Sequence, residues 1–168
     1  MYKRKLTRES LAELAKRMPV LSECQQMAYV GGYDDRDCWW RCIAYLKSCG
    51  TDYSSGAAMN IAKEYYGDKF DEDNYAFIGD RKAHQNFASN YFSGLDGNYC
   101  NGQILVFDPN AAPDGSGNNV STGSSRHAVI FEGYDEFGNL LLFDPQTNER
   151  SVKSLSEIGT KAFMVNVR

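Results

Sequence analysis

Arg126-His127-Ala128-Val129-Ile130-Phe131-Glu132-Gly133-Tyr134, Asp135-Glu136-Phe137-Gly138-Asn139 and Leu140-Leu141-Leu142-Phe143-Asp144-Pro145-Gln146 form the run that decides how this chain is read. Two apolar segments flank a polar turn containing Gly138-Asn139, the pattern of a β-hairpin. His127 then falls at the start of the first strand and Asp144 at the end of the second. In an antiparallel pair those ends are neighbours, so an imidazole and a carboxylate meet at one edge of the sheet. Either residue alone is ordinary, a strand-start histidine or an Asp-Pro turn. Their joint placement on one hairpin asks for a nucleophile.

The candidate lies far upstream. Asp37-Cys38-Trp39-Trp40-Arg41-Cys42-Ile43-Ala44-Tyr45-Leu46 reads as the first turns of a buried helix. Asp37 is placed to cap it, Ile43, Tyr45 and Leu46 supply its apolar face, and Gly50 stops it. A thiol in the first turn, Cys38, is readily activated, because the helix macrodipole and the N–H groups there favour the thiolate. Cys42 and Cys49 share roughly one side of this helix and read as core. The spacing of Cys38 and Cys42 is not that of paired zinc ligands, and no second pair exists, so neither metal nor cofactor is expected.

The rest of the chain fits around these landmarks. Residues 51–66 read as a second helix, with Ser54 or Ser55 near its start and Ala58, Ile61, Ala62 and Tyr65 facing inward. Residues 68–75 form an acidic loop. Asp80 caps a third helix through Phe92, with Phe87 and Tyr91 one turn apart. His84 on that helix has no acid or thiol beside it in sequence and reads as a surface or hydrogen-bonded structural histidine. Gln103–Phe107 suits a buried strand, and Asn110–Ser125, rich in Gly, Asn and Ser, a surface loop. After the hairpin, Thr147–Arg150 turns the chain, Leu155–Ile158 makes a brief helical turn and Ala162–Val167 closes as a strand. Four antiparallel strands packed on N-terminal helices give an α+β fold.

Composition excludes several function classes. A net charge of -4 carries no basic footprint, so nucleic acid is not an expected partner. No apolar run approaches the ~20 residues of a membrane-spanning helix, and no membrane insertion is expected. Five cysteines, at 24, 38, 42, 49 and 100, are an odd number, so no complete disulfide framework is expected.

Residues 1–32 differ in character from the remainder. Thr7 can cap a helix bearing Leu11, Leu14, Ala15 and Met18 on one face, and Pro19 ends it. A second short helix from Ser22 carries Glu23, Met27 and Tyr29 and stops at Gly31-Gly32. Met18-Pro19-Val20-Leu21-Ser22-Glu23 through Tyr29-Val30-Gly31-Gly32 resembles a double-glycine leader, such as those on small secreted proteins of gut Bacteroidetes. The resemblance implies cleavage after Gly32, with Leu21 and Tyr29 at the apolar positions read by the processing peptidase. Gln26 stands where a third apolar residue is usual. Residues 1–32 are therefore expected to be a leader or pro-segment and 33–168 the functional domain. The precursor is expected to be cytoplasmic, and the protein to be secreted once a leader-recognising ABC exporter has removed the leader.

The order Cys38, His127, Asp144, on a helix and then on antiparallel strands, resembles the papain-like cysteine peptidase superfamily. His127-Ala128-Val129-Ile130 followed by Phe143-Asp144-Pro145-Gln146 is most similar to two of its groups, the double-glycine leader peptidases and the papain-fold toxins thought to be glutamine deamidases. The likeness covers about residues 33–168 in three short patches. It implies a papain-like fold and a Cys38-His127-Asp144 triad acting on amide bonds of a peptide or protein. Asp34 and Asp37 match acidic positions of the leader-peptidase motif. The sequence departs from that motif at Gly32, where those peptidases carry the glutamine that steadies the oxyanion. Gln25, Gln26 and Asn101 are the candidate substitutes, beside the Cys38 backbone N–H. The expected activity is thus a cysteine peptidase. The alternatives are a protein-glutamine deamidase or transglutaminase-like effector, and a non-catalytic secreted, bacteriocin-like protein.

Overall fold

The computed structural model describes residues 36–109, 112–113, 119–120 and 126–168. The two helices expected before Gly32, and Gln25, Gln26, Gly31 and Gly32 themselves, lie outside the described residues. The fold is α+β. Among the described residues, three α-helices, α1 (Cys38–Lys47), α2 (Ser55–Tyr66) and α3 (Arg81–Ser93), precede the strands. The strands are β1 (Gly102–Phe107), the short β2 (Ala112–Pro113) and β3 (Asn119–Val120), then β4 (His127–Tyr134), β5 (Leu140–Asp144), β6 (Glu149–Lys153) and β7 (Phe163–Val167). A one-turn helix, α4 (Leu155–Ile158), sits before β7. The main sheet is antiparallel with order β6-β5-β4-β1-β7, and β2 pairs with β3 separately.

The period-two pattern of the strands divides the apolar side chains between two faces. Ile104, Val106, Ala128, Ile130, Val165 and Val167 face the helices and pack with Trp40, Ile43, Ile61 and Phe92. Leu105, Phe107, Val129, Leu140 and Leu142 face the other way, where Ile158 of α4 covers them. The helical side is rich in aromatics: Trp40 is fully buried, with its indole N–H donating to the Tyr75 carbonyl at 2.8 Å. Ser54 caps α2 through the Ala57 N–H and Asp80 caps α3 through the Ala83 N–H, as their sequence positions suggest.

Four features differ from expectation. The main sheet has five strands, because residues assigned to a turn open β6. That segment, Glu-Arg-Ser-Val-Lys, lies on the sheet edge almost wholly exposed, so no apolar alternation marks it. Part of the loop between β1 and β4 forms the β2–β3 pair. Tyr65 is 52% exposed rather than inward, although its ring leans on Phe77 and Phe87. Cys49 is not core. It lies past the end of α1 in a left-handed conformation and forms a disulfide with Cys100 across a separation of 51 residues.

Candidate active site

Cys38 is the first residue of α1 and is buried. Asp37, expected to cap this helix, does not: its side chain makes no cap hydrogen bond. Its Oδ2 takes the Arg41 Nε at 2.7 Å and its Oδ1 takes the Gln146 Nε2 at 2.5 Å. A guanidinium one turn along the same helix is a stronger donor to a carboxylate than a backbone N–H, and it wins. Asp37 is therefore an ion-pair partner fixed beside the thiol.

His127 opens β4, opposite Phe107 of β1, and is 1% exposed. Its Nε2 meets the Asp144 Oδ2 at 2.7 Å. Ile130 pairs with Phe143, so the hairpin ends lie together, as the sequence pattern anticipates. A register shift between Phe131 and Gly133 sits further along, where Gly133 takes a positive φ of 140°. The other Asp144 oxygen accepts the Gln146 N–H at 2.8 Å. Burial pushes the Asp144 carboxyl up, but the His127 hydrogen bond and charge, with the backbone N–H groups of Gln146 and Thr147, outweigh it and hold the group below its ordinary value. Asp144 is thus an anion near neutral pH.

The Cys38 Sγ lies 4.0 Å from the carbonyl oxygen of Arg126, the residue immediately before His127. The start of α1 and the start of β4 therefore meet at the thiol. Arg126 is tied down further: its Nη1 donates to the Gly79 carbonyl at 2.9 Å and its guanidinium stands over the Phe163 ring. Cys42, one turn after Cys38, has its thiol pushed well above the usual value by burial, then by Cys38, Asp144 and Asp37. It stays protonated and inert.

No family model, curated protein or solved structure matches this chain.

Among the sequence candidates, Cys38, His127 and Asp144 come to one end of the sheet. Asn101 does not. It immediately precedes β1 at the end opposite Phe107, the partner of His127, and six residues of extended strand separate the two by roughly 20 Å. Asn101 is accordingly set aside as an oxyanion donor. His84 is buried rather than on the surface. Its Nδ1 lies 2.9 Å from the Asp80 carbonyl and its ring stands edge-on to Trp39 and Phe77. Burial lowers its pKa, which favours the neutral ring.

Two residues at the site carried a weaker signal. Arg41 stands at the i+4 position from Asp37, the spacing of a helical ion pair. Gln146 had no such cue, because its partner is 109 positions away in sequence. Among the described residues, no group of three or more His, Cys, Asp or Glu side chains is arranged to hold a metal. Cavities of about 430, 360 and 380 Å³ lie elsewhere and are not lined by Cys38, His127 or Asp144.

Proposed function

We propose that this chain is a papain-like cysteine hydrolase of amide bonds in a peptide or protein, with Cys38 as nucleophile, His127 as base and Asp144 as orienting carboxylate. One observation carries the reading: the buried His127, paired with the half-buried Asp144 at 2.7 Å, stands at the strand end whose preceding carbonyl lies against the Cys38 thiol. Binding Asp144 through Nε2 assigns proton transfer to Nδ1 of His127. That nitrogen takes the thiol proton, and the thiolate attacks the amide carbonyl carbon to give a tetrahedral oxyanion. The imidazolium then protonates the leaving nitrogen, the C–N bond breaks and a thioester remains. Water, deprotonated by the same imidazole, releases the acid. The Cys38 backbone N–H, in the first turn of α1, is the natural first donor to the oxyanion.

The cysteine peptidase is the first form of this activity and glutamine deamidation the second. They differ only in whether the leaving nitrogen belongs to the backbone or to a side-chain carboxamide. Export through a double-glycine leader at Gly31-Gly32 by an ABC exporter is part of the proposal. The Cys49–Cys100 disulfide is compatible with an extracellular protein, and among the described residues no helix is long and apolar enough to cross a membrane.

Iodoacetamide labelling of the native chain at pH 7, read by peptide mass spectrometry, tests the proposal. Cys38 is expected to react about tenfold faster than an unperturbed thiol, losing that advantage in His127→Ala, while Cys42 stays unmodified. Equal reactivity of Cys38 and Cys42 overturns it. With casein as substrate, fragments mark a peptidase, and a gain of about one dalton per glutamine on the intact chain marks a deamidase. Cys38→Ala abolishes either.

A further inference from the structure

We infer that Gln146 is a positioning residue that sets the spacing between the Cys38 thiol and the His127 imidazole, anchored on Asp37. The inference rests on the catalytic reading of that pair. The contacts form an unbroken line. Arg41 Nε binds one oxygen of Asp37, and the Gln146 amide binds the other. The Gln146 backbone N–H binds one oxygen of Asp144, and His127 Nε2 binds the other. Arg41 also sends Nη1 to the Pro145 carbonyl at 3.5 Å and to the Tyr53 carbonyl at 3.4 Å. Asp37 and Arg41 bracket Cys38 on the first turn of α1. The turn that carries the nucleophile therefore grips the two residues that come directly after the base's carboxylate.

The chemistry at position 146 is specific. Asp37 is buried and needs donors on both oxygens. Arg41 supplies one with charge. A second cation at 146 would stand beside Asp144 and compete with the imidazolium for it, and an anion there would face two carboxylates. A neutral amide donates to Asp37 without either penalty, and its side chain spans the gap between α1 and the hairpin end. Gln146 binds both Asp37 and Asp144. It acts through Asp37 and Asp144, and a displacement of about 1 Å between nucleophile and base is enough to cost roughly a hundredfold in rate.

The test uses the full chain and iodoacetamide, with Cys38 labelling at pH 7 read by peptide mass spectrometry and folding followed by thermal melting. Gln146→Leu is expected to slow Cys38 labelling about tenfold while the protein remains folded. Gln146→Glu, which sets an anion against Asp37, slows it at least as much. The double variant Asp37→Asn with Gln146→Glu exchanges donor and acceptor, with the new amide at position 37 donating to the new carboxylate at position 146 while its carbonyl accepts from Arg41, and raises labelling at least about threefold above that of Gln146→Glu alone. A residue that merely fills space is not rescued by that exchange, so the double variant decides the matter even where a single variant melts. Wild-type labelling in folded Gln146→Leu, or no recovery in the folded double variant, overturns the inference. His127→Ala separates the two levels. If it leaves Cys38 labelling unchanged, the catalytic reading has failed; if it slows labelling while Gln146→Leu does not, only the positioning role falls.

Discussion

Asp144, the orienting carboxylate of the proposed triad, also bears on stability. Its carboxyl ionises more readily in the folded protein than the ordinary value of 3.8, despite burial. Such a group contributes stability that is complete above its unfolded pKa and is lost as pH falls through the lower folded one. Asp144→Asn is therefore expected to cost about 2 kcal/mol at pH 6, the scale of a charged hydrogen bond. The gap from wild type should begin to close as pH falls below about 4 and keep narrowing as the carboxyl is protonated, in thermal melts. A gap that persists undiminished to pH 2 means that packing, not charge, is what Asp144 contributes. Cys38, His127 and Asp144 were legible because each sits at an element's end, which local pattern reveals. Gln146 was not, because a hydrogen bond across 109 positions has no local pattern.

At the scale of elements, caps and periodicity placed α2, α3, β1 and the hairpin, while β6 escaped. The difference is physical: an edge strand exposed along most of its length has no face whose alternation could be read. The misjudged cap at Asp37 has a similar cause, since a local rule lost to a charged partner one turn away. Helix α3 offers a clean test of a cap that did hold. Asp80 takes the Ala83 N–H at 2.9 Å, and its own carbonyl lies 2.9 Å from the His84 ring. Asp80→Ala removes only the first of these. It should cost about 1 kcal/mol and speed amide exchange in the first turn of α3 while leaving β4 and β5 unchanged. Faster exchange spread evenly over the sheet would mean that α3 and the sheet open together.

At the scale of the whole molecule, the α+β architecture was legible because helical and strand periods occupy separate halves of the chain. The disulfide was not, since five cysteines allow many pairings and nothing in the spacing selects Cys49 with Cys100. Closing a loop of that size stabilises a fold by about 4 kcal/mol in the chain-entropy view. The same bridge also makes residues 49–100 a covalent ring that contains α2 and α3 entire. Glu72, exposed in the acidic loop of that ring, is a natural point for limited proteolysis with a glutamate-specific protease. A single cut there should leave one species on a non-reducing gel and two once thiol reductant is added. The chain can be severed in its middle and still travel as one molecule.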